Sequence, residues 1–204
     1  MNYTLAYRIR SHPWEDALHQ QPFVASLSQL LDAEECGRDK PYGRALDLGT
    51  GSGIWAVELA KRGWEVTGVD LVDKALERAQ HRAHAGRVAV RFLRADVTNL
   101  AAPGIGSEFR LLLDTGTFHG LRPAEREAMG RQMDALAAQD ATLLMLAWAR
   151  RRRGPLPLGV TRTEIAAAFP GWQVTDIGPS GFQAPPPVEL LLRPGERWYR
   201  LRRP

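Results

Sequence analysis

Cysteine, lysine and long apolar runs are scarce in this sequence of 204 residues. Because Cys36 is the single cysteine, the chain forms no internal disulfide and no cysteine-based zinc or iron–sulfur site, and we predict no metal. No run approaches the ~18 apolar residues of a membrane-spanning helix, and the first residues lack the apolar core of a signal peptide. We therefore expect a protein of the reducing cytoplasm, with no membrane partner.

The composition is otherwise that of a globular domain, with 44% hydrophobic and 25% charged residues. A chain of this length can bury roughly 70% of its unfolded surface around one core. We therefore predict a single domain over 1–204.

Basic charge is concentrated near the end of the chain. The net charge is +4, and residues 150–204 carry ten arginines against four acidic residues, whereas only three of the 27 basic residues in the chain are lysine. The run Arg150–Arg153 could attract an acidic substrate or a phosphate backbone, or it could be a solvated loop. Because no aromatic residue interrupts the run, we predict that nucleic acid is not the partner.

Apolar runs typical of strands alternate with segments of helical periodicity. The predicted strands lie at 44–48, 65–70, 88–94, 109–114, 142–148, 172–177 and 198–201, the last as an edge strand. The predicted helices lie at 54–62, 71–85, 123–138 and 165–169, the last after a capping box at 161–164. This alternation predicts a doubly wound α/β domain with a mostly parallel sheet. Residues 1–43 are predicted as an N-terminal cap and 44–204 as the core.

A glycine-rich turn follows the first predicted strand. Ligands of open α/β sheets bind beyond the carboxyl ends of the strands, where this chain has Asp47-Leu-Gly49-Thr-Gly51-Ser-Gly53. The glycines let the backbone approach a ligand, and the next helix offers free N–H groups. A dinucleotide fingerprint would need glycine where Ile54 stands, so the spacing favours a nucleoside ligand without a pyrophosphate.

Three more acidic residues follow strands. Asp70 could accept hydrogen bonds from both ribose hydroxyls, and Asp96 could accept one from the exocyclic amine of a base. Asp114 ends the fourth strand and opens the sequence DTGTFH. The alternatives are that Asp70 and Asp96 are solvated loop acids, that Asp47 only caps its turn, and that the glycines serve packing alone.

The segments ALDLGTGSGIWAVELAKRGWEVTGVDLVDKAL, RADVTNL and LLLDTGTFHGL together resemble the class I S-adenosylmethionine-dependent methyltransferases, over about residues 44–177. The resemblance implies a Rossmann-like sheet of seven strands in the order 3-2-1-4-5-7-6, with the last strand antiparallel. It implies S-adenosylmethionine as the cofactor and S-adenosylhomocysteine as the product. The implied cofactor contacts are Asp47, Gly49, Gly51 and Gly53 at the methionine end, Asp70 at the ribose and Asp96 at the adenine, together with Leu71, Val97, Asp114 and Trp14.

The fourth strand end bears on the methyl acceptor. Enzymes that methylate the amino groups of bases typically carry a D/N-P-P-Y element where this chain has Asp114-Thr-Gly-Thr117, and Cys36 precedes the glycine loop rather than serving as a nucleophile beside the cleft. The D-x-G-x-F-H form resembles small-molecule methyltransferases of the thiopurine and tellurite type. We therefore expect a small, apolar or aromatic acceptor that is methylated on sulfur, oxygen or nitrogen.

His119 is the candidate general base, because the pKa of an ordinary histidine, about 6.5, suits proton transfer near neutral pH. The alternative is that His119 only hydrogen-bonds a loop carbonyl, and a thiol acceptor would need no base. Trp14 could shield the sulfonium or anchor an amphipathic helix. The predicted acceptor pocket comprises Tyr7, Phe118, His119, Trp148 and Phe182, whereas Trp55, Trp64 and Trp172 are predicted core residues.

Three other functions remain open on the sequence. An RNA methyltransferase would use the basic C-terminal quarter, and a cofactor-binding protein without catalysis would keep the same cofactor site. A nicotinamide-dependent oxidoreductase would share the sheet, but the glycine spacing argues against it. The sequence does not indicate an oligomeric state.

Overall fold

The computed structural model describes residues 20–100, 104–152, 158–183 and 195–203. Within these residues a seven-stranded sheet is flanked by helices on both faces. The elements are α1 (Gln21–Glu35), β1 (Arg44–Leu48), α2 (Ile54–Arg62), β2 (Glu65–Asp70), α3 (Asp73–Ala85), β3 (Val90–Arg94), β4 (Phe109–Asp114), a 3-10 turn (Phe118–Gly120), α4 (Pro123–Leu136), β5 (Ala137–Trp148), α5 (Arg162–Ala168), β6 (Gln173–Pro179) and β7 (Glu196–Arg202). Tyr7 and Trp14 lie outside the described residues.

The strand order is β3-β2-β1-β4-β5-β7-β6, which confirms the predicted order and the doubly wound α/β fold. Strands β1 to β5 pair in parallel, whereas β7 runs antiparallel to both β5 and β6. The prediction that 198–201 forms an edge strand is wrong, because β6 is the edge and β7 lies inside the sheet. Trp198 and Leu201 are 1% and 0% exposed, on opposite faces, as is typical of an interior strand.

Several boundaries differ from the predictions for local reasons. Helix α3 begins at Asp73 rather than at 71, because the Asp70 carboxylate accepts a hydrogen bond from the Val72 N–H (2.8 Å) and holds that residue extended. Strand β5 begins at Ala137, which pairs with Phe109, so α4 ends earlier than predicted. The capping box is confirmed, and α5 begins at Arg162, directly after the capping residue Thr161 and earlier than the predicted 165.

Helices α1 and α2 cover one face of the sheet. Phe23 and Leu27 of α1 belong to the same buried cluster as Leu144 and Trp198 of the sheet. Buried Glu34 fixes the helix, because it accepts a hydrogen bond from the Thr142 hydroxyl (2.9 Å) and forms an ion pair with a sheet arginine. The described part of the predicted cap is therefore a helix of the flanking layer, and the division at residue 43 stays a prediction.

Helices α4 and α5 cover the opposite face, where Met129, Met133 and Ile165 are buried in the main cluster. The two helices cross closely, since a Cβ atom at Gly130 would overlap the carbonyl of Ala168. Trp64 and Trp172 are buried core residues, and Trp55 packs against the core partly exposed. No helix in the described ranges is long and apolar enough to cross a membrane.

Candidate active site

Three acidic residues meet at the carboxyl ends of neighbouring strands. Strand β1 lies between β2 and β4, and Leu48 pairs with Val69 on one side and with Asp114 on the other. Asp47 precedes Leu48, and Asp70 follows Val69. The parallel register thus brings Asp47, Asp70 and Asp114 to one edge of the sheet, as predicted.

The glycine loop takes left-handed conformations, with φ of 66°, 54° and 75° at Gly49, Gly51 and Gly53. At Gly53 a Cβ atom would lie 2.7 Å from the Cβ of Ala79, so this glycine allows α2 and α3 to pack closely. At Gly49 a Cβ atom would overlap the Thr117 side chain. Both positions therefore serve packing, and the same packing fixes the loop at the strand ends.

The Asp70 carboxylate is held by two backbone groups rather than freely solvated. Its Oδ2 accepts a hydrogen bond from the Gly51 N–H (2.9 Å), and its Oδ1 accepts one from the Val72 N–H (2.8 Å). Partial burial raises the pKa of Asp70, and these backbone hydrogen bonds lower it in part. Beside it, the Leu71 side chain is 55% exposed. An ionisable group and an apolar surface thus lie side by side.

Asp47 is almost completely buried and only half satisfied. Its Oδ2 accepts a hydrogen bond from the Thr50 hydroxyl (2.6 Å), so Asp47 does cap its turn. Its Oδ1 has no hydrogen-bond partner among the described residues. Burial, together with the charges of Asp114 and Asp70, raises the pKa of Asp47 to about 7, although the Thr50 hydrogen bond lowers it in part. A cation beside Oδ1 would favour the ionised form.

Asp114 folds its own loop. Its carboxylate accepts hydrogen bonds from the backbone N–H groups of Gly116 (2.9 Å), Thr117 (2.6 Å) and Phe118 (2.9 Å). Burial raises the pKa of Asp114 to about 6, although these hydrogen bonds lower it in part. Asp114 is 0% exposed, much as Asp47 is 1% exposed, and its contact with the cofactor stays a prediction.

Phe118 is likewise 0% exposed, with its ring 5.6 Å from that of Phe169. Phe118 thus packs in the core, and its place in the acceptor pocket stays a prediction. Asp114 and Phe118 face inward because the chain after β4 forms a 3-10 turn, Phe118–Gly120, whose backbone N–H groups include a donor to the Asp114 carboxylate.

The loop after β3 lies beside the Asp70 loop, since the Ala95 N–H donates a hydrogen bond to the Asp70 carbonyl (3.1 Å). Asp96 is half-buried, and its Oδ1 accepts hydrogen bonds from the backbone N–H (2.8 Å) and hydroxyl (2.7 Å) of Thr98. Val97 is 6% exposed and packs in the core, so a ligand contact by Val97 would be made by its backbone.

His119 and Trp148 form a stacked pair, with ring centroids 5.0 Å apart and planes inclined by 14°. His119 is buried, and its carbonyl accepts a hydrogen bond from the guanidinium of Arg126 (3.2 Å). Phe182 is half-buried near α1, with its ring 6.4 Å from that of Phe23. The structure thus joins His119 and Trp148, as predicted, and places Phe182 against α1.

Sequence reasoning missed two residues of this region, Glu196 and Ser180. Glu196 begins β7 opposite Trp148 and accepts a hydrogen bond from its indole Nε1–H (2.9 Å). The Ser180 hydroxyl donates to the other carboxylate oxygen of Glu196 (3.2 Å). No local pattern indicates this pairing, because it depends on the register of two strands far apart in sequence.

The arginine run is partly used within the fold. Arg150 forms an ion pair with Glu164, which also lies 3.5 Å from the guanidinium of buried Arg126. Arg152 is exposed, and Arg153 lies outside the described residues. In the described ranges, no three histidine, cysteine or acidic side chains lie together as metal ligands.

Comparisons find methyltransferases among the proteins that this chain resembles. A family model described as a methyltransferase domain matches residues 45–140. A 2-heptyl-1-hydroxyquinolin-4(1H)-one methyltransferase of Mycobacteroides abscessus is 29% identical over 71% of this chain and 65% of the relative. A demethylmenaquinone methyltransferase of Thermus thermophilus is 39% identical over 40% of this chain and 38% of the relative. The chain spans less than two thirds of the length of these relatives.

A solved structure of an S-adenosylmethionine-dependent methyltransferase from Clostridium acetobutylicum superposes with a TM-score of 0.70. The match covers 97% of this chain and 99% of that one, at 9% identity. Together with the observed strand order, this likeness shows that the fold is that of the Rossmann-like methyltransferases.

Proposed function

We propose that this protein is an S-adenosylmethionine-dependent methyltransferase that transfers a methyl group to a heteroatom of a small aromatic molecule. The observation that carries the proposal is the Asp70 carboxylate, which two backbone N–H groups hold at the end of β2 beside the exposed Leu71. A carboxylate at this position of a Rossmann-like sheet suits the hydroxyls of a ribose, and Leu71 suits the face of a purine.

The remaining residues fit the same cofactor. The unpartnered Oδ1 of Asp47 suits the ammonium group at the methionine end, because a cation there would offset the cost of burying the charge. Asp96, half-buried beside the Asp70 loop, suits the exocyclic amine of adenine. Gly51 contributes its N–H to Asp70, and the turn that contains it allows close backbone approach.

When bound, the cofactor supplies a methyl group on a positively charged sulfur, which a nucleophilic heteroatom attacks in line. The protein aligns the two reactants and excludes water. For a hydroxyl or ring nitrogen acceptor, His119 accepts the proton that the acceptor loses. Trp148 covers one face of the His119 ring and thereby fixes its orientation.

The proposed acceptor class rests on two supports. Trp148 is the last residue of β5 and Phe182 follows β6, so both aromatic side chains belong to the carboxyl ends of strands. Both curated relatives carry names of enzymes that act on ring compounds, a hydroxyquinolone and a demethylmenaquinone. Arg150 forms an ion pair with Glu164, which reduces the positive charge that this end of the arginine run offers to a nucleic acid.

Calorimetric titration with S-adenosylhomocysteine, run beside NADH and NADPH, tests the cofactor. We expect the wild-type protein to bind S-adenosylhomocysteine alone, and Asp70→Asn to weaken binding about 10-fold or more through loss of charged hydrogen bonds. Asp73→Asn is the matched control, since Asp73 is an exposed acid three residues away that pairs with Arg94. Binding of a nicotinamide alone, or equal binding by the Asp70→Asn variant, would contradict the proposal.

Turnover of a panel containing a hydroxyquinolone, a catechol and an aromatic thiol tests the acceptor class. We expect formation of S-adenosylhomocysteine with at least one ring compound and none with RNA. His119→Gln should slow methylation of the phenolic acceptors far more than that of the thiol, because a thiol ionises near neutral pH without a base. Turnover with RNA alone would contradict the assignment to small molecules.

A further inference from the structure

Glu196 is connected to His119 through a single indole ring. Strands β5 and β7 pair Trp148 directly with Glu196, and the indole Nε1–H donates a hydrogen bond to the Glu196 Oε1 (2.9 Å). The Ser180 hydroxyl donates to Oε2 (3.2 Å), so both carboxylate oxygens are engaged. The face of the same indole lies on the His119 imidazole at 5.0 Å. A carboxylate, an indole and an imidazole thus follow one another in contact.

This order of groups favours a positive charge on the imidazole. The face of an indole attracts a cation, so the stack stabilises a protonated His119 more than a neutral one. A hydrogen bond from the indole N–H to a carboxylate polarises the ring and increases the negative charge on its face. Glu196 therefore strengthens the attraction between Trp148 and an imidazolium without touching His119.

The other charged groups around His119 act in different directions. The guanidinium of Arg126 in α4 contacts the His119 carbonyl and opposes a second positive charge, although Glu164 of α5 lies 3.5 Å from that guanidinium. The Asp114 carboxylate at the start of the same loop is bound by three backbone N–H groups. Glu196 is the carboxylate that acts through the stacked ring.

We propose that Glu196 is a positioning residue, which holds Trp148 flat against His119 and stabilises His119 once it has accepted a proton. The inference deepens the proposed function and rests on it for the source of the proton. In that step the acceptor heteroatom forms its bond to the methyl carbon, and the bond of that carbon to sulfur breaks with its electron pair left on sulfur. The proton of the acceptor then resides on the His119 imidazole.

The test is an NMR titration of the histidine ring protons in the free protein. His119→Gln identifies the His119 signal by its disappearance. Glu196→Gln keeps an oxygen that can accept from the indole but removes the charge, and Trp148→Phe keeps a stacked ring but removes the indole N–H. We expect each change to lower the midpoint of the His119 titration by about 0.5 pH unit, the size of an ordinary cation–π interaction.

The double variant separates the stack from a direct effect of charge. We expect Glu196→Gln to have no further effect once Trp148 is phenylalanine, because the indole N–H that transmits the charge is absent. Glu65→Gln, an exposed glutamate at the start of β2, is the matched control and should leave the midpoint unchanged. A shift from Glu196→Gln that persists in the Trp148→Phe protein would overturn the proposal.

Two further results would also overturn it. One is an equal midpoint in the wild-type and Glu196→Gln proteins, and the other is a His119 signal that does not titrate between about pH 5 and 8. The measurement needs neither cofactor nor acceptor. A negative titration result would not change the measured binding of S-adenosylhomocysteine. Absence of that binding would likewise not change the titration result, so the two proposals can fail separately.

Discussion

The pKa values of aspartates are shifted in opposite directions at the two edges of the sheet. At the carboxyl-terminal edge, burial raises the pKa of Asp47 to about 7 and that of Asp114 to about 6. At the amino-terminal edge, a hydrogen bond from Arg110 (2.7 Å) lowers the pKa of Asp140, which is exposed. The carboxyl-terminal edge thus holds two buried carboxylates with raised pKa values, whereas Asp140 at the other edge belongs to an ordinary surface ion pair.

Two open grooves among the described residues lie at the amino-terminal edge of the sheet. A groove of about 530 Å³ is lined by Arg44 and Glu65, and another of about 550 Å³ by Arg110 and Asp140. Surface ion pairs contribute little free energy and tolerate such grooves, whereas buried carboxylates are costly and persist where function uses them. Buried carboxylates with raised pKa values therefore distinguish the carboxyl-terminal edge from the amino-terminal edge.

The largest difference between the edges should appear in folding stability. Asp114→Ala leaves three backbone N–H groups without an acceptor, and we expect it to lower the free energy of unfolding by about 3 kcal/mol. Asp140→Ala, at the other edge, should cost less than about 1 kcal/mol. Urea unfolding of the two variants measures both values, and equal losses would remove the distinction between the edges.

The pH dependence of stability should have opposite signs at the two edges. The pKa of Asp47 is raised on folding, so the unfolded chain loses this proton first and stability falls between about pH 4 and pH 7. Asp47→Asn should therefore be more stable than the wild type by about 2 kcal/mol near pH 8 and nearly equal to it near pH 4.

Asp140→Asn is the control for that pH series. The pKa of Asp140 is lowered on folding, so its contribution is present above the unfolded pKa and disappears as the pH falls through the folded value. The variant should be slightly less stable than the wild type at neutral pH and no different in acid. Thermal unfolding of the variants and the wild type across the pH range tests these expectations. A stability difference between Asp47→Asn and the wild type that does not change with pH would refute the burial argument.

An intermediate effect is expected on cofactor affinity. Leu71→Ala removes apolar surface beside Asp70 and should weaken S-adenosylhomocysteine binding about fivefold. Ile177→Ala is matched to it, because Ile177 is a comparably exposed apolar residue (42%) on the edge strand β6. Calorimetry should show no change for Ile177→Ala, and equal losses in both variants would argue against a ligand at Leu71.

The smallest effect is expected from the surface ion pair itself. A double-mutant cycle of Arg110→Ala and Asp140→Ala should give a coupling of about 0.5 kcal/mol, which decreases as salt is added. Stability measured at low and high ionic strength checks this. A coupling above about 2 kcal/mol would mean that the amino-terminal edge is electrostatically as specialised as the other.

Local sequence predicted those parts of the fold that local chemistry determines. The bounds of β1, α2, β2 and β4 follow from short apolar runs that end in glycine or aspartate, and α5 follows from its capping box. The strand order came from the family resemblance. The start of β5 was not predictable in this way, because Ala137 is extended through pairing with Phe109 of another strand.

The sequence predicted which strand ends carry the candidate site residues, whereas their burial and hydrogen-bond partners follow from the tertiary structure. Asp47, Asp70 and Asp96 reach the expected edge, whereas Asp114 and Phe118 turn inward because one carboxylate satisfies its own loop. No pattern of residue types predicts to which carboxylate oxygen a backbone N–H will donate its hydrogen bond. The contact between Trp148 and Glu196, like the burial of Asp114, depends on tertiary pairing.

Hydrogen exchange with and without S-adenosylhomocysteine tests most directly whether the carboxyl-terminal edge is the cofactor site. We predict slower exchange of backbone amides in 49–55 and 70–73 when the ligand is present. Amides at the opposite edge, in 38–44 and 104–110, should exchange at unchanged rates. Protection confined to the amino-terminal edge, or no protection in either region at saturating ligand, would contradict the account.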